Sequence, residues 1–297
     1  MKSRFLFLYI VPSILFAQPD TALLNLKQRI IDELSSQKGK FAVAFKDLSS
    51  RKELFINEKE VFHAASTMKT PVMIEVYHQA KTKRFSLNDS IALKNEFRSI
   101  VDSSIFSLDS TDDSELELYR HLGEKRTIYE LVYEMIIASS NLATNIIIEK
   151  VGASNVTKTM RRYGAHEIQV LRGVEDQKAY DKGMNNTVTA YDLMLIFERM
   201  AKGKAVSKKS SHAMINILFE QKFNTMIPAQ LPKEVKVAHK TGFITGIHHD
   251  SGIVFLPDGR KYVLVLLSKN IEEEETAVKA MATTSKMIYD YVVNVKK

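Results

Sequence analysis

A chain of 297 residues, 45% hydrophobic and 26% charged, has the composition of an ordinary globular protein and ample length for one large domain or two closely packed lobes. It contains no cysteine, which excludes disulfides, thiol catalysis, Cys-ligated metals and a lipid-modified cysteine anchor. The formal charge of +7 invites a nucleic-acid partner, but acidic residues are interspersed with the basic ones throughout, and no such partner is expected.

Lys2 and Arg4 precede an apolar run from Phe5 to Phe16, and Ala17 then offers a small residue for cleavage. Residues 1–17 therefore read as a secretory signal peptide, too short and one-sided for a membrane span. The mature chain is expected to be residues 18–297, exported to the periplasm, without stable membrane insertion and acting as a monomer.

No repeat or linker divides the mature chain. Residues 21–36 read as an amphipathic helix. Phe41-Ala-Val-Ala-Phe45 and Lys52-Glu-Leu-Phe-Ile56, flanking Asp47-Leu-Ser-Ser50, signal a hairpin. His63-Ala-Ala-Ser-Thr-Met-Lys-Thr-Pro-Val72 opens an apolar helix with Ser66 and Lys69 one turn apart. Residues 91–125 turn polar and acidic and read as a long excursion, with Asp109-Ser-Thr-Asp-Asp-Ser114 its most solvated part. Thr127-Ile-Tyr-Glu130 is a capping-box pattern, and its helix meets Ser139-Ser-Asn141. Another apolar helix spans 141–151, closed by Gly152, and residues 172–186 carry little regular signal. Thr189-Ala-Tyr-Asp192 launches a helix ending at Gly203. Strands are expected over 235–240, 252–256 and 262–267, then a final helix over 274–293.

Strands at both ends and helices in the middle imply an α+β architecture: an antiparallel sheet flanked by N- and C-terminal helices, plus a helical lobe. The expected sheet lobe covers about 18–65 and 206–297, and the helical lobe about 66–205. A cleft between them is the natural place for chemistry.

Three short motifs supply that chemistry. Ser-x-x-Lys occurs at Ser35, Ser49 and Ser66, but only Ser66 precedes an apolar helix. Ser-x-Asn occurs at Ser86, Ser139 and Ser268, and only Ser139 lies between two apolar helices. Lys240-Thr-Gly242 occurs once, at a strand. A serine hydroxyl needs a base to become a nucleophile, and a lysine whose pKa is lowered by burial can be one. Ser139 suits proton transfer to a leaving nitrogen, and Asn141 suits a substrate amide. Lys240 and Thr241 suit a substrate carboxylate, and Gly242 lets the strand come close.

Together and in this order the motifs resemble those of class A serine β-lactamases and the related penicillin-binding proteins, over essentially the whole mature chain. The second motif is usually Ser-Asp-Asn, whereas here Ser140 stands in the middle. Asn145 matches the family residue that orients a loop carboxylate, and is grouped here with the substrate-side residues. The resemblance implies a β-lactamase fold and a β-lactam or cell-wall peptide as substrate, with no cofactor. It also implies a deacylating carboxylate in Arg172-Gly-Val-Glu-Asp176. Glu175 is the candidate, one residue late relative to Arg172, with Asp176 as its rival; Asn186 stands where an Asp commonly pairs the Arg. Phe243, in place of a small or hydroxylated residue, should narrow the substrate strand while its N–H completes an oxyanion hole with that of Ser66. The insertion over 95–119 should shape one rim of the cleft.

Two activities stay open: a β-lactamase, and a D-Ala-D-Ala peptidase or related hydrolase that turns β-lactams over slowly. A metal site at His248-His-Asp250 with His239 is not expected, because neighbouring strand residues point to opposite faces.

Overall fold

The structure, a computed structural model, describes residues 20–294, so the expected signal peptide and cleavage point lie outside the described residues. None of the described helices is long and apolar enough to cross a membrane.

The centre is a five-stranded antiparallel sheet. From one edge to the other, the strands are Glu53–Ile56, Lys40–Asp47, Lys261–Lys269, Ile247–Phe255 and Lys236–Ile244. Its inner strands are apolar on both faces, as a sheet covered on both sides requires. Phe41, Val43 and Phe45, with Tyr262, Leu264 and Leu266, pack under the helices Thr21–Ser35 and Glu274–Asn294. Ala42, Ala44, Val263, Val265 and Leu267 face the opposite way, into the larger helical core. The period-2 alternation thus sends neighbouring residues into two separate cores.

The helical side is assembled from helices whose ends were largely legible. Thr127 and Glu130 form the capping box that starts Ile128–Ile137. Ser140 caps Asn141–Val151, and Gly152, at φ +79°, ends it. Thr189 caps Ala190–Ala201. The helices Ala153–Arg162, which is mostly polar and buries only Val156, Thr159 and Met160, and Lys208–Phe219 are additions to the expected elements.

Two expectations need correction. The three C-terminal strands each run nine residues, longer than the apolar runs predict. His249, Asp250 and Ser251 are strand residues despite their polarity, because hydrogen bonds satisfy them inside the fold. Nor are residues 91–125 a solvated excursion. Leu93, Phe97, Leu108 and Leu118 are buried in the helical core. Asp113, placed in the supposedly most solvated part, is only 7% exposed. Four donors replace its water: Tyr119 Oη and the N–H groups of Glu115, Asn141 and Leu142.

Candidate active site

Ser66 sits in a 3₁₀ turn, Ala65–Met68, that runs directly into the helix Lys69–Lys81. In a 3₁₀ turn side chains three apart eclipse, so Ser66 and Lys69 leave the backbone on one edge. Ala65 holds φ +42°, and two other segments of the cleft each have such a residue: Ser139 at +58° and Glu175 at +60°. Left-handed backbone at non-glycine residues costs about 1–3 kcal/mol each and persists where packing imposes it.

Both lysines of the motifs are fully buried. Lys69 Nζ donates to the Ser139 carbonyl at 2.7 Å, to Ser139 Oγ at 3.2 Å and to Asn141 Oδ1 at 2.8 Å. Lys240 Nζ donates to the same Ser139 Oγ at 3.0 Å and to the Thr241 carbonyl at 2.8 Å. One hydroxyl therefore links two buried amines. Burial pulls Lys69 down to about 7, although the charges of Asp113 and Glu175 oppose the change. Burial and the proximity of Lys69 lower Lys240 far below its ordinary value, against the influence of Asp250. Lys69 can thus be a free amine near neutrality, which the 3-residue spacing alone does not determine.

Glu175 and Asp176 have separate roles. Asn141 Nδ2 donates to Glu175 Oε1 at 2.6 Å, so the Asn141 amide touches both Lys69 and Glu175. Although Glu175 is exposed at the cleft, partial desolvation raises its pKa, opposed by the Asn141 bond and the Lys69 charge and reinforced by Asp113 and Asp112. Asp176 instead caps the short helix Gln177–Asp181 through Ala179 N and accepts bonds from Ser99 Oγ and Ile100 N. It straps the insertion to the loop.

Asn145 also holds the loop. Its amide accepts from Val174 N at 2.7 Å and donates to Val174 O at 3.1 Å, which places it behind the loop rather than against a substrate. A Cβ on Gly173 would lie 2.1 Å from Asn145 Oδ1, so a side chain there would break this clamp. Asn186 bonds the Arg172 backbone, while the guanidinium reaches Met184 O, Gly173 O and Asn185 Oδ1.

Two cavities open at Ser66. One, of about 320 Å³, is bounded by the loop residues Val174 and Glu175 with His63 and Tyr180; the other, about 270 Å³, by Ser139, Thr241, Gly242, Thr225 and Asp112. Ser66, Asn141 and Phe243 border both. Phe243 is 60% exposed, its ring centroid 4.9 Å from that of His248, and it stands as a partition on the strand. A Cβ on Gly242 would lie 3.1 Å from the N atoms of Ser66 and Thr67, so glycine permits the strand's close approach.

His239 and His249 are held inside the fold. His239 Nδ1 pairs with Asp250 Oδ1 at 2.8 Å, and Asp250 Oδ2 accepts from Ile227 N, bracing the wall that carries Thr225. His249 is buried, with Nε2 on the His63 carbonyl. Among the described residues no group of three or more acidic or histidine side chains is arranged to hold a metal.

Sequence reasoning missed Asp113, Asp112 and Thr225. Asp113 and Asp112 lie in a polar stretch with no periodicity to mark burial, and only the carboxylate cluster Asp112-Asp113 hinted at them.

The relatives have the same build. The chain is 24% identical over 282 residues to the β-lactamase VEB-1 of Pseudomonas aeruginosa, covering 91% of each protein. Among solved structures, PBP-A superposes with a TM-score of 0.78 at 25% identity, over 91% of this chain and 97% of that one. The TLA-3 extended-spectrum β-lactamase reaches 0.80 at 23% identity, over 92% and 100%, a likeness of fold. A profile of the β-lactamase enzyme family matches residues 25–292. On that match, which spans the sheet, the helical core and every residue of the cleft, the chain belongs to the β-lactamase enzyme family.

Proposed function

We propose that the protein is a class A-like serine β-lactamase that acts as an exported, periplasmic monomer after loss of residues 1–17. The observation that carries this reading is the Asn141 amide, which joins the buried amine of Lys69 to the carboxyl of Glu175 at the cleft. One cleft thus contains a base for acylation and a second for hydrolysis.

In acylation, Ser66 Oγ attacks the β-lactam carbonyl and its proton passes to the free amine of Lys69. The N–H groups of Ser66 and Phe243 receive the developing oxyanion. The C–N bond then breaks, and the proton travels through Ser139, which contacts both lysines, to the leaving nitrogen. Lys240 and Thr241 take the substrate carboxylate. In deacylation Glu175 removes a proton from water as its oxygen adds to the ester. Collapse of that intermediate returns the proton to Ser66. Partial desolvation, with Asp113 and Asp112 nearby, makes the ionised Glu175 a stronger base than an ordinary carboxylate.

A second reading, a penicillin-binding peptidase with slow β-lactam turnover, is favoured by the likeness to PBP-A, a mutant of which was solved as an acyl-enzyme complex with penicillin G at 26% identity. Glu175→Gln separates the two. Loss of a general base is worth about 10²–10⁴-fold, so a chromogenic cephalosporin should give one equivalent of product and then a trapped adduct, visible by mass spectrometry. Normal turnover by Glu175→Gln rejects the assignment of that carboxyl. An unmodified protein that itself stops at the adduct favours the peptidase.

A further inference from the structure

Asp113 has no part in the motifs, yet it is among the most fully bonded carboxylates in the cleft. Its Oδ2 accepts from Asn141 N at 2.8 Å, Leu142 N at 2.9 Å and Tyr119 Oη at 3.0 Å, and its Oδ1 from Glu115 N at 3.2 Å. The helix Asn141–Val151 already has a cap of its own, since Ser140 Oγ accepts from Ala143 N. The second motif is neutral at Ser140, so the negative charge at this helix start comes from the insertion. An anion there gains from both the free N–H groups and the helix dipole.

The residue that Asp113 grips is the one that joins the two bases. Asn141 can span Lys69 and Glu175 only if its backbone is fixed, and Asp113 bonds that backbone directly. Tyr119 stays protonated, because burial and Asp113 push its pKa upward, so its donor is always present.

We propose that Asp113 is a positioning residue of the reaction: its carboxylate pins the start of the helix Asn141–Val151 so that Asn141 bridges Lys69 and Glu175, and its charge balances the buried Lys69. This rests on the functional reading above. The charged groups that bear on the amines are Asp113 and Glu175 at Lys69, and Lys69 and Asp250 at Lys240. Those that bear on Glu175 are Asp113, Asp112 and Lys69. Removing the Asp113 charge removes support for protonated Lys69, so the free amine forms at lower pH.

The test is the pH profile of Ser66 acylation by penicillin, read by mass spectrometry under single-turnover conditions. Asp113→Asn keeps an acceptor oxygen and drops the charge, while Asp113→Ala drops both. The acid limb should move to lower pH by about half a unit to one unit in each variant, and the Ala variant should also lose about tenfold of its plateau. Either variant alone reads the limb, so misfolding of one leaves the test standing. A lower plateau with the limb in place reduces Asp113 to a structural cap and overturns the proposal, as does an unchanged profile. If penicillin forms no adduct with the unmodified protein, the functional reading falls. The charge balance is then read from the NMR titration of ¹³C-labelled lysine, with Lys69 assigned through Lys69→Arg. A lower midpoint in Asp113→Asn supports the proposal, and an unmoved one overturns it.

Discussion

Gly173→Ala tests how the loop carries Glu175, without touching any reacting group. The added Cβ would stand 2.1 Å from Asn145 Oδ1 and 2.8 Å from its Cγ, well inside contact distance. The backbone at Gly173 is not in the left-handed region, so alanine is resisted only by Asn145. That side chain can turn away, but only by releasing both bonds to Val174. Losing two hydrogen bonds, with buried amide groups left unpaired, costs about 2–3 kcal/mol. Spent on loop displacement, this is about 30- to 150-fold at 1.4 kcal/mol per decade. The loss should fall on deacylation, because Ser66, Lys69 and Lys240 stand on other elements. Stopped-flow hydrolysis of a chromogenic cephalosporin should show a full burst followed by a slow steady state, with the acyl-enzyme detected by mass. A steady-state rate within about threefold of the unmodified protein refutes the clamp, as does an equal loss in the burst. The pair Asn145→Ala with Gly173→Ala adds a check. With the obstacle gone, the double variant should be no worse than Asn145→Ala alone.

Acylation by the unmodified protein should rise about tenfold per pH unit until Lys69 loses its proton at about 7; a flat rate across that range would show that Lys69 is not the proton acceptor. Phe243→Ala should change stability by under about 0.5 kcal/mol, since the ring is largely exposed, and should raise kcat/KM for cephalosporins with bulky acyl groups relative to small ones by joining the two cavities. An unchanged bulky-to-small ratio rejects the partition. Thr127→Ala breaks a capping box remote from the cleft and should lower stability to urea by about 1 kcal/mol with β-lactam turnover intact.

What the sequence determined by itself is what physics decides within a turn or two of chain. A cap acts over three residues, so Thr127 and Thr189 could be read as helix starts, and Gly152 as a stop. The Ser66–Lys69 spacing and the single Lys-Thr-Gly are equally local, and the family likeness rests on them. The sheet was legible where its strands are apolar on both faces, and not where hydrogen bonds from distant segments satisfy His249, Asp250 and Ser251. The choice between Glu175 and Asp176 belongs to tertiary structure. Adjacent carboxylates on an aperiodic loop look alike until one meets Asn141 and the other Ser99 and Ile100. Asp113 is the extreme case. Its burial depends on four donors, two of them backbone groups 28 and 29 residues away, so nothing in its neighbourhood of the chain distinguishes it from solvated Asp112. Local spacing names the groups able to react, but their protonation and aim are set by burial and by partners that only the folded chain brings together.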